Sequence, residues 1–282
     1  MKYRHRFHAG NFADVHKHVT LLALLTALKR KEKGFLYLDT HAGRGGYDLS
    51  SPSAEAAGGI GRFAPGADAA PELCEYAALL ERCRSSLGRP YLYPGSPLLA
   101  LAALRVQDRA VLIETQAAEA HALADLVDLF RAPQRARIER GDGYARMRAW
   151  LPPRERRALT FLDPPYEETR SDFVGVTDAL ADGLRRFGTG VFVAWYPIKD
   201  ERTTSAWQLE CARVLAAPLL ASELWLYPRD ARVALNGSGM LIVNPPWRIL
   251  EHMQVWLPQL LNILAVGSEG GNSARMLRES AL

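Results

Sequence analysis

The sequence predicts an α/β fold, a mostly parallel sheet with helices on both faces, and three observations predict it. Short apolar runs alternate with helical patterns from residue 110 onward, as crossover connections between parallel strands require. A glycine-rich turn, His41-Ala42-Gly43-Arg44-Gly45-Gly46-Tyr47, follows the first apolar run. Successive runs end in Asp39, Glu114 and Asp142, and ligands of open α/β sheets bind beyond the carboxyl ends of the strands.

Taken in order, Asn11 or Asp14 caps a helix that runs through residues 18–33, with the basic run Lys29–Lys33 suiting its C-terminal end. Gly34 stops it. Residues 34–40 form the first strand and enter the glycine turn. Ser50–Pro71 is rich in Gly, Ala, Pro and Ser and reads as loop, and Pro71–Leu87 has a helical pattern. Residues 47–95 together exceed the usual α/β connection and predict an inserted helical subdomain. Strands follow at Ala110–Glu114, Ala136–Arg140, Ala158–Leu162 and Gly190–Trp195, with helices at Ala117–Phe130, Gly143–Leu151, Phe173–Phe187 and Thr203–Leu215. Ser222–Tyr227 and Gly239–Val243 are late strands, and the polar tail Gly267–Leu282 is expected to fray.

Composition narrows the class. Of 282 residues 48% are hydrophobic and 23% charged, which excludes a disordered chain. A net charge of +4 is compatible with a polyanionic partner without diagnosing one. Cys74, Cys83 and Cys211 form no Cys-x-x-Cys pair and read as reduced thiols of a cytosolic protein. The start of the chain lacks the apolar segment of a signal peptide, and the apolar stretch Val19–Leu28 is too short to span a bilayer. A cytoplasmic protein without a membrane partner is expected.

Each motif has a bland and a functional reading. The glycine loop is either a tight turn or a place where backbone approaches a ligand. A dinucleotide site needs an acid about 20 residues on, and the next acid at a strand end is Glu114, a mismatch for a nicotinamide domain. Glu114 is a solvated strand-end acid or grips ribose hydroxyls. Asp142 caps the next helix or accepts from an adenine amino group. Ser96, in Tyr91-Leu92-Tyr93-Pro94-Gly95-Ser96-Pro97, caps a helix or meets a cofactor.

The sharpest motif is Phe161-Leu162-Asp163-Pro164-Pro165-Tyr166. Two prolines remove two N–H donors, so carbonyls and the Asp163 oxygens are expected to face outward unpaired, an acceptor hook for an exocyclic NH2 with two hydrogens to donate. Pro164 is expected to lend its carbonyl and Tyr166 a face for stacking a base. Asn244-Pro245-Pro246-Trp247 follows another apolar run and matches the same pattern. Asp163 is preferred because it ends the fourth strand, expected next to the first, whereas Asn244 ends the last, expected toward the far side of the sheet. The N-terminal cluster of Tyr3, Arg4, His5, Arg6, Phe7, His8, His16, Lys17 and His18 has no metal-site spacing, so no metal is expected, and it suits nucleic-acid contact better.

The segments YRHRFHAGNFADVHKH, FLYLDTHAGRGGY, YLYPGSP, LDPPYE, GTGVFVAWYPI and SGMLIVNPPW carry a close resemblance, over nearly the whole chain, to the RlmJ family, bacterial adenine-N6 methyltransferases of 23S ribosomal RNA. The resemblance implies a class I S-adenosylmethionine-dependent methyltransferase fold, Rossmann-like with a seven-stranded mostly parallel sheet, and a monomer acting on naked 23S rRNA. It implies His18, His41, Ser96, Glu114, Asp142 and Gly143 as S-adenosylmethionine contacts, Asp163 as the catalytic residue and Tyr3 as an RNA contact. Lys17, beside His18, is expected to face the substrate. The rival expectations are a DNA adenine-N6 methyltransferase, which needs the same hook, and a non-catalytic RNA-binding protein on the same fold.

Overall fold

The computed structural model describes residues 8–131, 135–228, 231, 233 and 235–279; Tyr3 lies outside the described residues. The first half of the chain forms α1 (Phe12–Lys29), β1 (Leu36–Asp39), β2 (Gly46–Asp48), α2 (Ala54–Gly58), α3 (Pro71–Leu87), β3 (Leu92–Pro94), α4 (Ser96–Ala103), β4 (Arg109–Glu114), α5 (Ala117–Leu129) and β5 (Ala136–Arg140). Then come α6 (Gly143–Trp150), β6 (Ala158–Leu162), α7 (Thr169–Arg186), β7 (Val191–Ile198), α8 (Glu201–Val214), β8 (Leu219–Trp225), β9 (Gly237–Val243), α9 (Ile249–Leu264) and β10 (Gly271–Arg278).

The main sheet has the order β10-β8-β9-β7-β6-β1-β4-β5. Strands β5, β4, β1, β6 and β7 are parallel. β9 runs antiparallel between β7 and β8. The order reverses at β1, where β4 lies on one side and β6 on the other, so a crevice opens beyond Asp39. One face packs on α1, α4 and α9 through Leu21, Leu24, Leu99, Trp256 and Leu260. The other packs on α6, α7 and α8 through Met147, Val176, Leu180 and Trp207.

The sheet has eight strands among the described residues, not the expected seven, and the tail is the reason. Gly271–Arg278 pairs antiparallel with β8 instead of fraying. Glu223 on β8 is 2% exposed, and a buried carboxylate needs a partner. Arg275 supplies it, Nη1 lying 3.0 Å from Glu223 Oε2, while its Nη2 donates to Gln208 Oε1 at 2.6 Å. The polarity that made the tail look solvated is spent on a buried acid.

Other boundaries moved as well. α1 begins at Phe12, with Asn11 as its cap accepting from the Asp14 amide at 2.9 Å, and ends at Lys29. The basic run does not extend the helix; Arg105 and Arg157 donate to the carbonyls of Leu28, Lys29, Lys31 and Lys33 and close that end. The stretch read as loop contains the short α2, capped by Ser53. α9 was not anticipated; it carries Pro258 in its interior and follows Pro245-Pro246. In the 47–95 segment, β2 and β3 form a small antiparallel ribbon. Leu73, Tyr76, Leu79 and Leu80 of α3 join the same core as α1.

His16 gives the fold a pH dependence. It is fully buried, Nδ1 2.9 Å from Ser238 Oγ and Nε2 3.1 Å from Ser222 Oγ, and burial pushes its pKa down to about 3. The unfolded chain takes up a proton near pH 6.5 that the native ring refuses, so stability is lost as pH falls below that value. Between pH 6.5 and 5 the loss is about 2 kcal/mol. His41, lowered to about 4 by burial, adds in the same sense. Asp39, raised to about 6 by burial, works oppositely as pH falls from 6 toward 4. Urea unfolding at pH 7 and pH 5 is expected to show the loss, and His16→Gln to shrink it; an unchanged pH difference in that variant would refute the account.

Candidate active site

Asp39 anchors the crevice. It is fully buried and accepts from Tyr37 Oη at 2.7 Å, Ser96 Oγ at 2.8 Å and the His41 amide at 3.2 Å. Burial raises its pKa to about 6 against the pull of the Tyr37 and Ser96 hydroxyls. Ser96 therefore does not cap α4; Gly95 holds that position and donates its amide to Gly45 O at 2.8 Å. This stitches the start of α4 to the glycine loop.

Gly43 and Gly45 have φ of +59° and +79°, the left-handed region that glycine enters without strain. A Cβ on Gly45 would lie 2.6 Å from Leu123 Cδ1. The Gly43 amide donates to Glu114 Oε2 at 2.9 Å and the Gln116 amide to Oε1 at 2.7 Å. Glu114 is thus a buried brace of the loop and not a solvated acid. His41 Nδ1 lies 2.8 Å from Thr40 Oγ1, and its ring meets Tyr144 edge-on at 5.1 Å. Asp142 is exposed and caps α6, accepting from the Ala145 amide at 2.8 Å. At Gly143 a Cβ would sit 2.0 Å from Thr40 O, so only glycine lets α6 approach β1 there.

The second corner is ionic. Lys17 Nζ lies 2.6 Å from Asp163 Oδ2 and 2.8 Å from Asp14 Oδ1, and 5.4 Å from the Trp195 ring centroid. Lys17 is 4% exposed. Burial alone would lower its pKa, but Asp14 and Asp163 outweigh burial and hold it well above the usual lysine value. Asp163 is therefore not the unpaired acceptor expected: a cation reaches it from a helix 146 positions earlier.

Tyr166 also departs from expectation. Its ring is 3% exposed, edge-on to Phe173 at 5.4 Å and Trp195 at 5.5 Å, and its hydroxyl donates to Trp195 O at 2.7 Å. After two prolines the residue takes φ +49°, which turns the ring into the core and not toward a base. Pro164 is buried and Pro165 exposed. His18 is buried between Tyr76 and Tyr93, Nδ1 2.9 Å from Tyr93 Oη.

The structure brings Lys17, His41, Ser96, Glu114, Gly143 and Asp163 to the carboxyl rim of the parallel strands, with Asp142 at its exposed lip. Sequence reasoning missed two members. Asp14 was read as a helix cap, although its i,i+3 spacing to Lys17 is an ion-pair signal. Tyr144 is the other: its hydroxyl is buried beside His41 with no partner among the described residues.

The second Pro-Pro motif leaves the sheet elsewhere. β9 is antiparallel, with Val243 opposite Phe192 at the start of β7, so Asn244 emerges at the opposite rim. Sequence order had placed it toward the far side of the sheet; β9 is interior, and strand direction is what separates the motifs. The Asn244 amide donates to Gly188 O at 2.9 Å and Gly190 O at 2.8 Å.

A family model described as "Ribosomal RNA large subunit methyltransferase D, RlmJ" matches residues 32–277. The chain is 38% identical to "Ribosomal RNA large subunit methyltransferase J" of Escherichia coli (strain K12) over 276 residues, 96% of each chain. It is 36% identical over 274 residues to the protein of the same name in Haemophilus influenzae, again 96% of each. Among solved structures it resembles protein LPL1258 of Legionella pneumophila, with a TM-score of 0.84 and 32% identity over 97% of this chain and 98% of that one.

Proposed function

The chain belongs to the family described as "Ribosomal RNA large subunit methyltransferase D, RlmJ", and from that premise we propose that it transfers a methyl group from S-adenosylmethionine to N6 of an adenine in 23S ribosomal RNA. The fold is of class I methyltransferase type, and residues 47–95 are read as its inserted helical unit. The observation that carries the reading is the Asp163-Pro164-Pro165-Tyr166 hook. It stands at the tip of β6, beside the strand that bears the glycine loop, with Lys17 clamped on Asp163.

The residues present fit S-adenosylmethionine. The left-handed glycines turn the loop sharply at the strand tip, and Gly143 lets the start of α6 close on Thr40, so backbone from both lines the crevice. Acids at two successive strand tips, Glu114 and Asp142, suit the hydroxyls and amino group of a nucleoside. Ser96, His18 and His41 complete the contacts assigned to it, and burial keeps His41 neutral at pH 7. When bound, the cofactor supplies an electrophilic methyl on a sulfonium.

The chain's own residues then act on the adenine. Asp163 Oδ1 and the Pro164 carbonyl accept from the two N6 hydrogens, which favours a pyramidal nitrogen with its lone pair free. Lys17 holds Oδ2 and fixes the carboxylate, while Asp14 balances the added charge. Asp163 would take the proton that N6 sheds once the methyl's bond to sulfur is exchanged for one to nitrogen, the bonding pair staying on sulfur as a neutral thioether. Positioning supplies much of the acceleration. The base leaves its stack to enter, at least cost where it is unpaired, so a loop or junction in protein-free rRNA or an early assembly intermediate is the proposed target; Tyr3 is the RNA contact the family resemblance assigns, and Lys17 acts on the substrate through Asp163. The enzyme is read as a cytoplasmic monomer.

Mass mapping of methylated adenine on rRNA from cells with and without the gene tests this. One adenine losing its methyl group is expected; an unchanged pattern would refute it, and RNase-resistant, DNase-sensitive label in a tritium-transfer assay would point to DNA. Asn244→Ala is expected to keep the chemistry and to lose about 1–2 kcal/mol of stability, from its two hydrogen bonds and an unfavourable positive φ. Thermal unfolding and activity per folded molecule check both; loss of activity with the fold intact would move the chemistry to the second motif.

A further inference from the structure

The Asn244-Pro245-Pro246-Trp247 motif plays no part in the reaction above, yet it ends in the most exposed aromatic among the described residues, Trp247 at 78%. A tryptophan left in water beside cations is a surface for stacking, not for packing. The Arg248 guanidinium lies over the indole, 5.3 Å from its centroid. Trp247 and Arg30 border the same hollow of about 160 Å³. Arg30 opens the turn Arg30-Lys31-Glu32-Lys33, which has one acid among three cations. Lys31, Lys33 and Arg248 are exposed and form no ion pair among the described residues. The acids of the hollow are already engaged, Glu75 by Thr26 and Lys29 and Glu72 by His252. What remains is an exposed ring with Arg248 on it, Arg30 on the same hollow, and Lys31 and Lys33 following Arg30 in the chain, four cations against the exposed acids Glu32 and Glu251; cations for phosphate and a ring for a base is the pairing that binds unpaired nucleotides.

We propose that this opposite rim is a second RNA-binding site, in which an unpaired base of the substrate stacks on Trp247 and its flanking phosphates meet Arg248, Lys31 and Lys33. The inference rests on RNA being the substrate. Lys17 and Arg30 are thirteen positions apart along α1 and its cap, about 20 Å at 1.5 Å per residue. RNA that fills both sites must span at least that distance, so the second site adds affinity for long RNA and nothing for a short fragment bearing only the target adenine.

The test compares wild type, Trp247→Ala and the triple variant Lys31→Gln/Lys33→Gln/Arg248→Asn on a long rRNA transcript and on a short target oligonucleotide. Trp247 is outside the core and asparagine tolerates the left-handed backbone at 248, so both variants are expected to fold. Trp247→Ala is expected to raise KM for the transcript about tenfold, with kcat and the oligonucleotide KM unchanged. The triple variant is expected to flatten the slope of log affinity against log salt by about 2. Equal transcript KM and salt slope in all three proteins would overturn the proposal. So would a change in oligomeric state on Trp247→Ala with RNA affinity unaltered, which would mark the patch as a contact between copies. If wild type methylated the oligonucleotide but the variants bound the transcript normally, only this inference would fail. If wild type methylated neither RNA, the functional reading would fail with it.

Discussion

Asp163→Ala is expected to lower methyl transfer about 10³-fold, within the range that positioned proton transfer contributes, while cofactor affinity stays near wild type. In the proposed reaction the residue meets the substrate, and the residues proposed for the cofactor are tied elsewhere: Ser96 to Asp39, Glu114 to Gly43. The side chain is 16% exposed, and its removal leaves Lys17 paired with Asp14, so the fold survives. Asp163→Asn separates the two duties of the carboxylate. An amide oxygen still accepts from N6–H but does not take the proton. Single-turnover transfer of tritiated methyl and calorimetric titration of the cofactor read the two effects. Wild-type turnover in either variant would remove Asp163 from the reaction; lost cofactor binding in Asp163→Ala would reassign it to the cofactor.

Lys17→Met is expected to cost about 3–5 kcal/mol, the penalty for stripping the partner from buried charge. Lys17 and Asp14 side chains are 5% and 3% exposed, and the ammonium is the cation that holds Asp14 and Asp163 together. Asp14→Asn added to Lys17→Met removes one of the two carboxylates that lost the lysine and is expected to restore part of the loss. Turnover per folded molecule is expected to fall about 10²-fold, because a carboxylate displaced by about 1 Å loses its alignment. Denaturant titration of the single and double variants checks the energetics. Additive losses would mean that the three groups are not coupled.

The parts of this molecule legible in its sequence are those set by local period. The strands Ala136–Arg140 and Ala158–Leu162 and the helix Pro71–Leu87 fall where alternation and helical spacing put them. The Asp163-Pro164-Pro165-Tyr166 turn was legible as the end of an apolar strand on the first strand's flank, and β6 does lie beside β1. What escaped is what depends on distant partners. The Lys17–Asp163 contact exists because α1 is laid across the sheet, which residues 14–18 do not reveal. The inward turn of Tyr166 depends on one left-handed dihedral. The antiparallel sense of β9 leaves no mark on an apolar run, though it decides which Pro-Pro motif meets the crevice. The polar tail looked unstructured because its ionic partner, Glu223, looked like an ordinary surface acid.

The pairing of Glu223 with Arg275 also orders events in the life of the molecule. The acid is synthesised 52 positions before the guanidinium that pairs with it, and until then β8 presents an open strand edge. A nascent chain therefore covers the β8 edge only after β10 has been made. A copy shortened by a premature stop or by clipping ahead of Gly271 keeps the β8 edge open, and an open edge is a template on which another chain can pair.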